Sequence, residues 1–435
     1  MSTSRSPQAV VRRLGWGVAD QGVSSISNFI LGVVVARSLD AASFGAFGLA
    51  YVTFGLVISA TRGLATDPLL VRFSGAETPA WRRAVAASSA TATAAGVVTG
   101  IACIVVGLLL PPEVGGGFIA LGVGLPGLML QDSLRFAFFS VGKPHKALVN
   151  DVVWTVLQFG VLAGLVLTDR ATEVTCFLAF GGTATLAAGF GVLQCRILPR
   201  PRWIRAWVVE HKALGGRYLV ENISIAGARQ IRMVTLGALA GLASVGEVRA
   251  AEILMGPFLV MLMGVSQLAV PEASHVLGRA PERLARFCFT LGLVAASAAA
   301  AWGVTIRALL PTGLGEMLLG QIWVPAAALL PPVMIGMFMG GFEIGAAAGV
   351  RALGAAPRSL AAQMFGASTY LVGGCLGAYL DGARGSCWGV AIATTLATFV
   401  WWYQLRCGIA DHLRDHPNES PGVTSLSGQP EGIAS

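Results

Sequence analysis

From residue 14 to residue 405 the chain is a succession of apolar stretches, rich in Gly and Ala and separated by short charged turns. A helix of about 20 apolar residues crosses roughly 30 Å of hydrocarbon, and about twelve stretches here are long enough. With 55% of residues hydrophobic and 12% charged, there is too little polar surface to wrap cores of this size in water. The runs lack sustained alternation, so their backbone groups must be satisfied within helices and not around a barrel. The expected fold class is an all-α polytopic membrane protein with about twelve transmembrane helices.

Most of the 30 Lys and Arg fall in every second loop, which places those loops and both termini on the cytoplasmic side. The expected organisation is a cytoplasmic N-terminus over 1–13, an N-lobe of six spans over 14–195, a basic cytoplasmic linker over 196–215, a C-lobe of six spans over 216–405, and a mostly disordered tail over 406–435. The net charge of +8 needs no nucleic acid to explain it, because the positive residues lie where topology requires them. The linker, "RILPRPRWIRAWVVEHKALGGR", holds Trp203 and Trp207 among its arginines. It reads either as an interfacial helix on anionic lipid or as a charged connector. The seven cysteines are scattered without metal or disulfide spacing and read as small core residues.

Setting Phe44-Gly45 on Val245-Gly246 shifts the chain by 201 residues and superposes Asp20 on Glu221 and Asn28 on Arg229. "GKPHKAL" (142–148) and "GAAPRSL" (354–360) form a second match, each after the fourth span of its half. Two parallel repeats facing each other enclose a central cavity.

The segment "NFILGVVVARSLDAASFGAFGLAYVTFGLVISATRGLATDPLLVR" resembles the opening of bacterial polysaccharide-unit flippases, of the O-antigen or teichoic type, in the multidrug/oligosaccharidyl-lipid/polysaccharide exporter superfamily. Similar pieces are "LQDSLRFAFFSVGKPHKALVNDVVW", "SVGEVRAAEILMGPFLVM" and the run from Met317 to Leu360. The resemblance implies a V-shaped pair of six-helix lobes in a bacterial cytoplasmic membrane. It also implies an alternating-access exporter that moves an undecaprenyl-(di)phosphate-linked oligosaccharide outward for cell-surface polysaccharide assembly. Membrane lipids and polysaccharide polymerase machinery would be its partners. About twelve spans fit such exporters better than the fourteen usual in peptidoglycan-precursor flippases.

Charged groups inside spans are costly unless they face water or a partner, so they mark candidate sites. Arg229 and Arg232 are three residues apart and share one helix face deep in the seventh span. With Arg135 of the fourth span they are the candidate phosphate site for the substrate that the resemblance implies, since guanidinium forks match phosphate oxygens. Arg62 is a further candidate, although near the cytoplasmic end it can snorkel. The competing reading is internal ion pairing, for instance of Arg135 with Asp132 one turn earlier. Asp20, Glu221, Asp132 and Glu343 are candidates for coupling transport to a proton or sodium gradient. Glu252 belongs to the same set of acids, whereas Asp67 and Asp151 read as anchors at span ends.

Other signals dissolve in context. "GVGLPG" (122–127) follows no strand and holds Pro126, so it is a kink and not a nucleotide fingerprint. No Walker motif is present, and no cofactor is expected. His412 and His416 have metal-pair spacing with nothing to complete a site. A cation-coupled small-molecule or multidrug antiporter of the same superfamily is the nearest alternative function. A multi-span polysaccharide polymerase or ligase is a weaker one, because the outer loops are too short for a catalytic site.

Overall fold

A computed structural model describes residues 7–73, 75, 77–309 and 313–415, and all regular structure among them is helical. The first half contains α1 (Pro7–Ser38), α2 (Ala41–Thr61), the short α3 (Asp67–Arg72), α4 (Pro79–Leu109), α5 (Pro112–Ser140), α6 (Pro144–Leu167) and α7 (Glu173–Cys195). The second contains α8 (Ile204–Ala240), α9 (Leu242–Arg279), α10 (Leu284–Leu309), the short α11 (Leu314–Leu319), α12 (Trp323–Ala352) and α13 (Ala356–Asp415). Helix α13 is two helices joined at Asp381 and Gly382, where a φ of 51° suits glycine. Counted so, the long helices match the apolar stretches one for one. Seven of the described helices are long and apolar enough to cross a membrane on length and composition alone. The chain is a multi-pass membrane protein.

Local sequence explains several element boundaries. The Asp40 carboxylate accepts from the Ala42 and Ser43 N–H groups at 2.9 and 3.0 Å and so caps α2, and these hydrogen bonds hold that carboxyl below its ordinary range. Between α2 and α3 the backbone makes one π-helical turn, Arg62–Thr66. Pro68 just beyond has no N–H to give to Leu64, and the freed Leu64 carbonyl accepts from the Trp207 indole at 3.2 Å. That bond ties the start of α8 to the N-lobe.

Two expectations differ from the observed elements. The linker over 196–215 is not a separate connector throughout, because α8 begins at Ile204 and runs unbroken through the seventh span. Trp207 is buried against Phe73 and His211 and does not face lipid. The helix also continues into the expected tail as far as Asp415, where Asp411 pairs with Arg358 and, at 3.3 Å, with Arg414. The rest of the tail, His416 included, lies outside the described residues.

The packing shows which end of the molecule is closed. One apolar core joins both halves at their outer ends, from Leu31, Phe44 and Phe47 to Val245, Ile253 and Trp323. At the cytoplasmic end there are two separate cores. One holds Leu69, Trp81 and Trp207, and the other holds Leu284, Trp401 and Leu405. The outer closure centres on two glycines: a Cβ on Gly45 would fall 1.8 Å from the Leu242 carbonyl, and one on Gly246 would fall 2.5 Å from the Ala41 carbonyl. Under the shift of 201 residues these contacts are the same contact seen twice, so the repeats meet about a local two-fold axis. Arg37 at the end of α1 adds a hydrogen bond to the Met317 carbonyl of α11. Inside, Gly216 and Val220 of α8 are separated from Leu360 and Met364 by a cavity of about 660 Å³. The lobes are closed outside and open inside.

Candidate functional site

Helix α5 carries Gln131, Asp132 and, one turn on, Arg135 in its inner half, and each finds a partner from a distant part of the chain. The Arg135 Nε donates to Asp20 Oδ2 of α1 at 3.0 Å and lies 3.2 Å from Asp151 Oδ2 of α6. Gln131 donates to Asp151 Oδ1 at 2.8 Å and to Asn150 Oδ1 at 3.1 Å. Asn150 in turn donates to the Ala187 carbonyl of α7 at 2.9 Å. Arg62, the first residue of the π-helical turn, grips Asp132 with both arms of its fork at 2.6 and 2.9 Å and lies over the Phe136 ring. Three carboxylates therefore face two guanidiniums. Asp20 is 0% exposed, and its Oδ1 has no hydrogen-bond partner. A buried charge without a full complement of partners is expensive, which makes this cluster a natural place for a cation to bind.

The second cluster joins α8, α9 and α13. Arg232 is 2% exposed, and its Nη2 donates to Glu252 Oε1 at 2.7 Å. Arg249 approaches the other oxygen of Glu252 at 3.4 Å, so two guanidiniums share one carboxylate. Each arginine also faces an aromatic ring, Arg232 over Tyr370 at 5.3 Å and Arg249 over Tyr51 of the N-lobe at 4.6 Å. Gly374 makes room for this: a Cβ there would fall 2.6 Å from Arg232 Cδ. Arg229, one turn earlier, is exposed. On a wheel at about 100° per residue it lies on the opposite side of α8 from the exposed apolar residues Val220, Ile231 and Val234.

The structure thus separates residues that the sequence placed together. Arg135 and Arg62 are held by acids in the N-lobe. Arg232 is held by Glu252, and Arg229 alone of the four is exposed without an ion pair among the described residues. The pairing expected between Arg135 and Asp132 is replaced by Arg135 with Asp20 and Asp151, and by Arg62 with Asp132. Glu343 lines a separate cavity of about 170 Å³ with Arg351 and Trp401. The Glu221 side chain lies outside the described residues. Asp151, expected as a span-end anchor, belongs to the N-lobe cluster, and Asp67, expected as another, accepts from Asn222 of α8 at 3.1 Å. The signal for Asp151 was its neighbour Asn150, since two adjacent polar residues inside an apolar stretch ask for partners.

No family model matches the chain, and no curated protein does. Solved structures do. An inward-facing multidrug resistance MATE family transporter of the MOP superfamily superposes with a TM-score of 0.72 at 15% identity, over 90% of this chain and 96% of that one. The fold is that of the MATE transporters. An outward-facing structure of such a transporter gives 0.60 at 16% identity, covering 93% and 96% of the two chains. A MOP superfamily transporter from Pyrococcus furiosus, described as having a binding pocket of reversed polarity that suggests a different function, gives 0.61 at 16% identity over 92% and 95%.

Proposed function

We propose that this protein is a cation-coupled exporter of a bacterial cytoplasmic membrane, working by alternating access between its two lobes. The observation that carries the reading is the N-lobe cluster, with three buried carboxylates against two guanidiniums and Asp20 Oδ1 unpartnered. A proton or sodium ion taken up at Asp20 balances the excess and weakens its hold on Arg135, which keeps Asp151. Helix α1 is then less tightly held at its inner end. The same helix carries Arg37, whose bond to Met317 helps close the outer end, so a change at Asp20 acts on both ends of one rigid rod. In this scheme Arg135 and Arg62 position the acids.

For the cargo, the MATE fold and the multidrug transporters that share it support a small amphipathic molecule. A second reading, an undecaprenyl-(di)phosphate-linked oligosaccharide, is favoured by the cationic balance of the other cluster. There Arg232 and Arg249 share only Glu252, and Arg229 is exposed beside them. The Pyrococcus furiosus transporter, described as having a pocket of reversed polarity, is a precedent for a change of pocket polarity on this fold. Proteoliposomes with an imposed pH or sodium gradient test both. Movement of cationic or neutral amphiphiles supports the first reading. Movement of lipid-linked oligosaccharide that Arg229→Ala abolishes supports the second, and gradient-independent movement of every cargo overturns the coupling.

A further inference from the structure

On the cytoplasmic surface of the N-lobe, Arg82, Arg196, Arg200, Arg202 and Arg205 are exposed and form no salt bridge among the described residues. They are drawn together by the chain reversal after α7. Arg196 ends that helix in the left-handed region at φ 53°, and its carbonyl accepts from Arg82 Nη2 at 2.9 Å. The Arg200 N–H then donates to the Ala86 carbonyl at 2.9 Å, so residues 196–200 lie along the first turns of α4. Trp203 is clasped by two guanidiniums, Arg200 at 5.4 Å and Arg202 at 5.2 Å. Topology alone calls for positive charge here, but it does not call for arginines fixed in place by a ring and by backbone contacts.

The apolar residues beside them say what kind of surface they meet. Leu198 is 69% exposed, and Val208 and Val209 are 41% and 58% exposed. Arg205, Val208, Val209 and Lys212 have the spacing of one helix face, while Trp207 and His211 on the other face are buried against the N-lobe. A helix that presents cations and exposed valines on one side and is anchored on the other fits the boundary between lipid headgroups and acyl chains. We infer that this surface is a docking site for the phosphate headgroup of an anionic phospholipid in the inner leaflet. The arginines take the phosphate, and Leu198, Val208 and Val209 take the adjoining acyl carbons. Because Trp207 fastens this helix to Leu64, a bound lipid also braces the start of α8, the helix that bridges the lobes.

The test uses the full chain in nanodiscs of phosphatidylcholine with a minor fraction of fluorescent phosphatidylglycerol, reading lipid retention beside the protein. At about fivefold per arginine removed, Arg200→Gln with Arg202→Gln should lower retention by roughly 25-fold at low salt. Arg279→Gln with Arg286→Gln, on the cytoplasmic side of the C-lobe, should leave retention unchanged. Soluble glycerol phosphate should not compete, because it lacks the acyl chains. Equal retention by the two double variants, or an equal fall in both, overturns the site in favour of general surface charge, and competition by glycerol phosphate overturns the lipid in favour of a free anion. Thermal unfolding confirms that the substitutions, all at exposed positions, leave the fold intact.

Discussion

Asp20, Arg135 and Asp151 form a buried triad in which one guanidinium serves two carboxylates, and the consequences of removing each member are unequal. Arg135→Ala leaves both acids in the apolar interior without their cation, which should cost about 3–5 kcal/mol of stability. Asp20→Asn removes a charge that was in excess and leaves Arg135 bound to Asp151, so the loss should be clearly smaller. Thermal unfolding in detergent checks the order, and a variant series in which Asp20→Asn is the more damaging would contradict the charge balance described here. The charges themselves were legible in the sequence, because an Arg or Asp inside an apolar run is conspicuous. Their partners were not, since Asp20, Arg135 and Asp151 come from three helices and no local spacing links them. Arg62 shows the same limit. Its partner Asp132 lies on another helix, and no local spacing links the two.

At the scale of the element, the decisive contact is between the outer ends of α2 and α9, where Gly45 and Gly246 allow the backbones to touch. Repeat matching put these two glycines at equivalent positions, and the fold places them face to face. Gly45→Val should push the helices apart, because its side chain meets backbone and not a movable side chain. The expected outcome is faster labelling of a cysteine at Ala41 by a membrane-impermeant maleimide, with lower thermal stability. Unchanged labelling would mean that the contact does not hold the outer end closed. Helix positions were largely legible from apolar length, whereas the start of α8 was not. Its first turns mix basic and apolar residues and follow Pro199 and Pro201, so they read either as an interfacial helix or as a connector. They are held as a helix against the N-lobe by Trp207 and His211, a tertiary effect invisible to local pattern.

For the whole molecule, the shared outer core and the divided inner cores describe one conformation, which the proposed alternating access would exchange for another. The number of lobes followed from the internal repeat, but which end stands open could not, since it depends on contacts between helices far apart in the chain. If the N-lobe acids govern the exchange, the lobes should respond to the ion even without cargo. The most direct measurement is the distance between spin labels at His145 and Ala285, on the cytoplasmic sides of the two lobes, in a background with the native cysteines replaced. Proton or sodium concentration is varied in otherwise identical nanodiscs. The prediction is that the unsubstituted cluster shifts the population between a longer and a shorter inner separation as the ion is added, and that Asp20→Asn fixes the distribution whatever the ion concentration. An ion-driven shift of the same size in Asp20→Asn would contradict the claim that this cluster drives the exchange.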